Sequence, residues 1–325
     1  MKKFFLCLSF LMFSGYIHAQ SLKINSSPAA LNDVLTAEIG VEEVYFKDGN
    51  GTNLTKLNYS VPDGPDPSLK VYALPDGSAI VRENIVNFLF FDSFGKISNS
   101  ISNSSNTQEG EATSELERNP SGETIVLYSP KIKFNGKMGS GAKVLHPTGA
   151  SRDIFYSQDR TLKMVKISDD GEMIAFVTEK SGKDDAIVVM DKFGNEFNTF
   201  TFDQETEGIS FSDDDAAITI YSNNRAVAYS VVSGDKFGST SFRSPLHFAE
   251  YIPDDNVILG LTAAKTGNRY SDIQLHAVNV KARKIAHQDY SPSLNEESEI
   301  VLSRKSKYSY ELTGFDKVLK VKASF

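Results

Sequence analysis

Apolar residues along this chain come in short bursts, and a turn-forming cluster stops each one. Residues 161–197 show the pattern most fully: TLKMVKI, Ser-Asp-Asp-Gly, then EMIAFVT, a polar turn, AIVVMD and Phe-Gly-Asn. Bursts of this length suit strands rather than helices, and no stretch carries a 3.6-residue apolar period over useful length. The segment therefore predicts a strand, an Asp-Asp-Gly turn, a second strand, a polar turn, a third strand and a glycine turn.

Weaker copies lie on both sides. Turn signals recur at Asn32-Asp33, Pro75-Asp76-Gly77, Pro120-Ser121-Gly122, Asp169-Asp170-Gly171, Asp213-Asp214-Asp215, Pro253-Asp254-Asp255 and Arg304-Lys305-Ser306. An apolar run follows most of them, such as SAIVRE at Ser78, TIVLYS at Thr124, AAITIY at Ala216 and NVILGL at Asn256. A third run then returns, as NFLFF at Asn87, AIVVM at Ala186, AVAYSVV at Ala226 and IQLHAV at Ile273. Several of these close in Asp-x-x-Gly, as at Asp92–Gly95 and Asp191–Gly194, where glycine supplies positive φ and Asp bonds its own backbone.

A period of about 40–50 residues with four short strands is the mark of a propeller blade, which buries its faces only by stacking on neighbours. The expected fold is all-β: a β-propeller of seven four-stranded blades, or six if the first rung is an extension. The last unit has room for about three strands, and residues 21–25 (SLKIN) are expected to complete it and close the ring. Two stretches depart from the pattern. Residues 98–113 (SNSISNSSNTQEGEAT) read as a strand of small residues leading into a mobile surface loop. Residues 136–141 (GKMGSG) read as a loop between strands at 132–134 and 143–145. Loops of this kind on a fixed scaffold are where specificity is expected.

Residues 167–195 resemble the TolB-type, WD-repeat-like propeller repeat of exported bacterial proteins. Ser168, Asp170, Gly171, Ile174, Ala175, Phe176, Val189, Met190, Asp191 and Gly194 occupy that pattern, with Asp169 where the family has proline. Pro75-Asp76-Gly77 and Pro253-Asp254-Asp255 keep part of the turn. The eukaryotic-style WD repeat does not fit a chain with Trp 0. The resemblance implies a propeller used as a protein-contact or ligand-contact platform in the envelope. It does not imply an enzyme, because fold and function are separable.

The N-terminus adds a compartment. Lys2 and Lys3 precede the apolar run FFLCLSFLMF, and Ala19 is a small residue at a cleavage position, so residues 1–19 read as a secretory signal peptide and residues 20–325 as one propeller domain. That run is about half of what a membrane-spanning helix needs, and no later segment approaches such a length. The expected location is periplasmic or secreted. Cys7 is the chain's one cysteine and sits inside the leader, so the mature protein has neither disulfide nor thiolate chemistry. The formal charge of −8 becomes more negative when Lys2 and Lys3 leave, which disfavours nucleic acid and anionic membrane as partners.

Candidate chemistry is thin. Acids pair at the turns (Asp169-Asp170, Asp184-Asp185, Asp213-Asp214-Asp215, Asp254-Asp255), and calcium takes such oxygens, but hairpin turns use the same residues for backbone reasons. Residues 48–53 (DGNGTN) open like a calcium loop without its spaced Glu. His146, His247, His276 and His287 fall at no ligand spacing. The Gly-Lys-Met-Gly-Ser-Gly run lacks the Gly-Lys-Ser/Thr ending and the helix of a phosphate loop. No nucleophile elbow is present. Glu83, Glu117, Glu207, Glu250 and Glu299 could pair across a channel as glycosidase carboxylates do. Arg82, Arg118, Arg160, Arg225 and Arg304 lie near strand ends and could gather at one mouth for an acidic partner.

The sequence thus assigns no catalytic, cofactor-binding or metal-binding residue. It points to an exported, non-catalytic, monomeric binding or scaffold propeller that contacts an envelope or extracellular protein and carries no cofactor. The competing reading is a propeller hydrolase acting on polysaccharide or peptide through paired carboxylates.

Overall fold

A computed structural model describes residues 23–325 apart from 29–35, 40–42, 48–52, 61–68, 75, 84–86, 103–113, 135–136, 147–149, 268, 284, 291–299 and 315–317. The described strands form seven antiparallel sheets, six of four strands and one of three, which are the blades of a β-propeller. Seven is the larger of the two expected numbers. No described helix is long and apolar enough to cross a membrane.

Each blade is a meander, with strands a to d running from the axis to the rim. Blade 4 is Thr161–Ile167, Met173–Lys180, Lys183–Asp191 and Glu196–Phe202. Blade 5 is Gly208–Phe211, Ala217–Tyr221, Arg225–Ser230 and Lys236–Ser241. Blade 6 is Leu246–Ile252, Val257–Thr266, Arg269–Asn279 and Ile285–Tyr290. Earlier in the chain, blade 2 is Lys70–Ala73, Ala79–Arg82, Asn87–Phe91 and Ile97–Ser102, and blade 3 is Glu115–Arg118, Ile125–Phe134, Lys137–Leu145 and Ser151–Ser157. Blade 1 shows Thr36–Ile39, Glu43–Lys47 and Asn53–Ser60.

Blade 7 joins the two ends of the chain. Its strands a to c are Val301–Ser306, Ser309–Thr313 and Leu319–Ser324, and its rim strand is Lys23–Pro28. Lys23 pairs with Ser324 and Pro28 with Leu319 in an antiparallel ladder. The expected closure by SLKIN is realised from Lys23 onward, and residues 1–22, with the leader, lie outside the described residues.

The apolar bursts are explained by how the blades stack. Ala175 and Val177 of blade 4 pack with Ile209, Phe211, Ile218 and Ile220 of blade 5. The alternate residues Ile174 and Phe176 pack the other way, with Val126, Ala142 and Ile154 of blade 3. Strand b of blade 4 is therefore buried on both faces and reads as an unbroken apolar run rather than an alternating one. Similar cores join blades 1 and 2, 2 and 3, 5 and 6, and 6 and 7. Rim strands have one free face and alternate, as exposed and half-buried positions do along Lys236–Ser241.

One expectation is corrected. The expected loop at 136–141 is not found from residue 137 on, because Lys137–Leu145 is a continuous strand c whose Gly139 pairs with Ile132 and Gly141 with Ser129, and residue 136 lies outside the described residues. The glycines are needed for close approach rather than for a turn. A Cβ on Gly139 would sit 2.5 Å from the Ser157 carbonyl oxygen and 2.8 Å from the Tyr156 ring. Of the other departing stretch, Ile97–Ser102 is a strand as expected, and residues 103–113 lie outside the described residues.

Candidate binding face

In a meander, hairpins a–b and c–d emerge at one end of the ring, here termed the first face. Backbone bonds tie the two sets together there: Lys192 N–H donates to Glu172 C=O at 3.0 Å, Val231 to Ala216 at 2.9 Å and Val280 to Asn256 at 2.9 Å. The a–b turns use one device. In blade 4 the Ser168 hydroxyl donates to Asp170 Oδ1 at 2.6 Å, Asp170 Oδ1 accepts the Glu172 N–H, and Ser168 Oγ accepts the Met173 N–H. Blade 5 repeats it with Ser212, Asp214, Ala216 and Ala217. In blade 3, Asn119 Oδ1 takes the place of the serine oxygen and accepts the Thr124 N–H at 2.9 Å. Asp170 and Asp214 thereby serve the backbone of their turns.

The acid beside each has a different fate. Asp169 Oδ2 accepts from Arg304 Nε at 3.0 Å and Nη2 at 2.7 Å. Arg304 stands on the innermost strand of blade 7, three blades away around a seven-membered ring. Its Nη1 donates to the Phe211 carbonyl of blade 5 at 3.0 Å and to Glu250 Oε1 on the innermost strand of blade 6. One side chain, only 8% exposed, thus ties four blades across the axis. Glu250 is buried, and burial pushes its carboxyl up to about 7 against the opposing pull of the Arg304 guanidinium. Arg304 is itself held further above the usual guanidinium range by Glu250 and Asp169, despite its own desolvation.

Asp215 lies beside this cluster in the slot that Gly77, Gly122, Gly171 and Asn256 fill in other blades, all with positive φ. Burial and the neighbouring Asp170 carboxylate raise its carboxyl to about 7. Its Oδ1 is buried and has no hydrogen-bond partner among the described residues. The arc of turns continues into blades 6 and 7, where Tyr308 OH donates to Asp255 Oδ2 at 2.6 Å and Lys307 pairs with Asp254.

The remaining candidates do not converge. Arg82 is buried between blades 2 and 3, donating to the Ser114 carbonyl at 2.9 Å and to Glu115 at 2.7 Å. Arg160 holds the Thr178 and Asp184 carbonyls, and Arg225 pairs with Asp203 at the opposite face. Arg118 is half-buried, and desolvation pulls its guanidinium down. Of the glutamates, Glu117 lies 3.7 Å from Lys166, Glu207 is exposed, Glu83 is half-buried and Glu299 lies outside the described residues. Among the described glutamates of this group only Glu250 joins the axial cluster, and its neighbour there is a guanidinium.

Among the histidines, His276 and His287 are cross-strand partners in blade 6. His276 contacts Thr262 Oγ1 at 3.0 Å, and burial pulls its ring down. His247 Nε2 lies 3.2 Å from the Ala263 carbonyl oxygen, and His146 is exposed. No group of three or more ligand-type side chains among the described residues has the arrangement to hold a metal ion. The calcium-like opening at 48–53 falls almost wholly outside the described residues.

Arg304, Glu250 and Asp169 stand on separate rungs of the repeat, and nothing in the sequence signals that they meet. Asp215 was not singled out either, although aligning the turns puts it where Gly77, Gly122 and Gly171 stand in other blades.

No protein-family model matches the chain, and no curated protein matches its sequence. Solved structures do match in shape. A chain of a mitotic checkpoint complex is similar over 100% of both chains, with TM-score 0.56 and 12% identity. The hydrazine synthase of Kuenenia stuttgartiensis is similar over 75% of this chain and 72% of its own, with TM-score 0.51 and 14% identity. A eukaryotic initiation factor is similar over 79% of this chain, with TM-score 0.52 and 11% identity, and the match spans 62% of that longer chain. Likeness at these identities speaks to fold alone, and the fold it supports is a WD-repeat-like β-propeller.

Proposed function

We propose that the chain is an exported, non-catalytic scaffold that binds a protein of the cell envelope or extracellular space as a monomer. The observation that carries this reading is the state of the axial carboxylates. Glycoside hydrolysis by paired carboxylates needs the two groups about 5–9 Å apart with room between them for substrate or water. Here Glu250 and Asp169 flank the guanidinium of Arg304, which bonds both. The space that a substrate would need is filled by an arginine. The leader and the resemblance of residues 167–195 to exported propeller repeats support the compartment.

The test is chemical cross-linking of the purified chain in an envelope fraction of its native host, followed by mass spectrometry, beside assays on chromogenic polysaccharide and peptide substrates. The expected result is one protein recovered in near-stoichiometric amount and no turnover. Substrate cleavage that disappears in Glu250→Gln would overturn the reading in favour of the hydrolase.

A further inference from the structure

Among the described residues, most of the large apolar side chains left in solvent lie at the c–d turns and the starts of the rim strands. Phe94 (79% exposed), Phe193 (57%) and Val232 (76%) sit in the c–d turns of blades 2, 4 and 5. Phe197, Phe237 and Ile285 follow at the first or second position of the rim strands of blades 4, 5 and 6, beside the same turns. The second face has Ile39 and Met138 at its hairpins and Val301 at the start of the innermost strand of blade 7, at 37%, 40% and 45%.

Turn geometry does not require these residues. In Asp191-Lys192-Phe193-Gly194 the bonds are made by the Asp191 carboxylate, the Phe193 and Asn195 backbone N–H groups and Gly194 at φ +93. Any side chain would serve at the phenylalanine position. The rim is continuous between blades: Asn198 donates to the Val231 and Val232 carbonyls at 2.6 and 2.9 Å, and Gly238 lies against Val280 of the next blade.

Inside this apolar rim the first face is acidic. Asp169, Asp170, Asp213, Asp214, Asp254 and Asp255 project from the a–b turns of blades 4 to 6. Arg304 and Lys307 balance Asp169 and Asp254, which leaves Asp170, Asp213, Asp214 and Asp255 without a cation among the described ion pairs, while Lys192, Lys281 and Arg283 stand further out on the c–d turns of blades 4 and 6. Exposed apolar side chains gathered on neighbouring blades mark an interaction site, and the acids left without a cation define the partner's charge. Arg152 and Lys192 lie 5.5 and 5.6 Å from the centre of the Phe193 ring, so this aromatic already accepts cationic groups on its face.

We infer that the first face is a docking surface for a protein segment rich in Lys or Arg and in aromatic or aliphatic side chains. Its cations seat over the a–b acids, and its apolar groups seat against the c–d rim of blades 4 to 6. An anionic bilayer would meet the apolar rim only by pressing against the acidic centre, so a polypeptide is the occupant with matching charge. The inference rests on the binding reading above and specifies its surface.

The experiment is selection of twelve-residue peptides from a random display library on the purified full chain, with affinities then measured on variants whose melting temperatures match the parent. The rim variant is Phe193→Ser/Val232→Ser/Ile285→Ser, the acid variant Asp213→Asn/Asp254→Asn, and the second-face control Ile39→Ser/Met138→Ser. The expected result is enrichment of basic peptides with Phe, Tyr or Leu. Their affinity falls at least tenfold in the rim variant and in the acid variant, weakens with salt, and is unchanged in the control.

Peptides lost only in the second-face control would overturn this surface and leave the binding reading standing. Enrichment of acidic peptides would overturn the assigned partner chemistry. Sedimentation with phosphatidylglycerol vesicles that depends on the rim residues, with no peptide retained, would replace the protein by a lipid. Retention of neither peptide nor vesicle would overturn this inference and the binding reading together.

Discussion

In blade 4 the turn Ser168-Asp169-Asp170-Gly171 folds a serine hydroxyl onto Asp170, and in blade 5 Ser212-Asp213-Asp214-Asp215 folds its hydroxyl onto Asp214, each at 2.6 Å. The local recipe is shared, down to a positive φ at the fourth residue, +76 at Gly171 and +55 at Asp215. What differs is the neighbouring blade. A Cβ on Gly171 would lie 2.5 Å from Thr124 Oγ1 and 3.0 Å from the Asn119 amide nitrogen of blade 3, so only glycine fits. Asp215 has space for a side chain, and its carboxyl turns toward Asp169 and Asp170. The second residues diverge as well: Asp169 is captured by Arg304 from across the axis, whereas Asp213 stays exposed. Identical turns thus acquire different electrostatic roles from what stands next to them.

The largest way to break this contrast is Arg304→Ala. It leaves Glu250 buried without its cation, and removing one partner of a buried pair costs about 3–5 kcal/mol, read as a lower urea midpoint. Asp169→Asn should cost far less, because Asp169 is the exposed end of the bridge. The double variant Arg304→Met/Glu250→Met should recover most of the loss. If the double is as unstable as the single, the burial of Glu250 is not the source.

Exchanging the fourth residues tests the role of the neighbour. Gly171→Asp should destabilise by more than about 1–2 kcal/mol, the cost of a side chain in the left-handed region, with the clash against Thr124 added. Asp215→Gly should be neutral or stabilising. Equal and opposite effects would mean that the turn alone decides.

The pH dependence sharpens the comparison further. Asp215 has a folded-state value of about 7 against an ordinary 3.8. Folded protein therefore holds a proton there that unfolded chain has released. This contribution favours folding at low pH and is lost as pH rises from about 4 to 7. Asp215→Asn keeps a side chain that tolerates the backbone, as Asn256 does in blade 6, and should remove this slope. Its gain over the parent should be absent at pH 4 and full above pH 7, read from urea midpoints across that range. Glu250 carries the same sign, so part of the slope should persist in the variant.

Ser168→Ala and Ser212→Ala should each lose about 1 kcal/mol and agree within a few tenths, as expected if the two turns share one device. The smallest effect is reserved for the rim: Phe193→Ser should stay within about ±0.5 kcal/mol of the parent, because that ring is exposed. A larger loss would show that the rim aromatics are structural.

Much of the fold was legible because a blade is a local object. The strands MIAFV, AITIY and VILGL, the glycine and Asp turns and the repeat spacing all arise within about 40–50 residues. Even the closure was readable, since a last unit one strand short demands a partner. The glycine run at 136–141 misled, because glycine signals a turn as readily as it signals close packing. Tyr156, whose ring requires those glycines, enters only when strand d folds back. The candidate face was less legible. That Asp170 and Asp214 serve their turns follows from residues two or three positions away, but the meeting of Arg304 with Asp169 joins blades 4 and 7.

The sequence by itself determined an all-β ring of short meanders, the identity of its turns and the chain end that completes the last blade. These depend on local backbone preference and on the need of each apolar run to be covered on both faces. Tertiary structure alone decided which charges meet at the axis, which carboxyls are pushed toward 7, and that exposed aromatics and acidic turns share one face. Those properties depend on distances and desolvation between blades, and a ring brings together residues whose separation along the chain carries no trace of it.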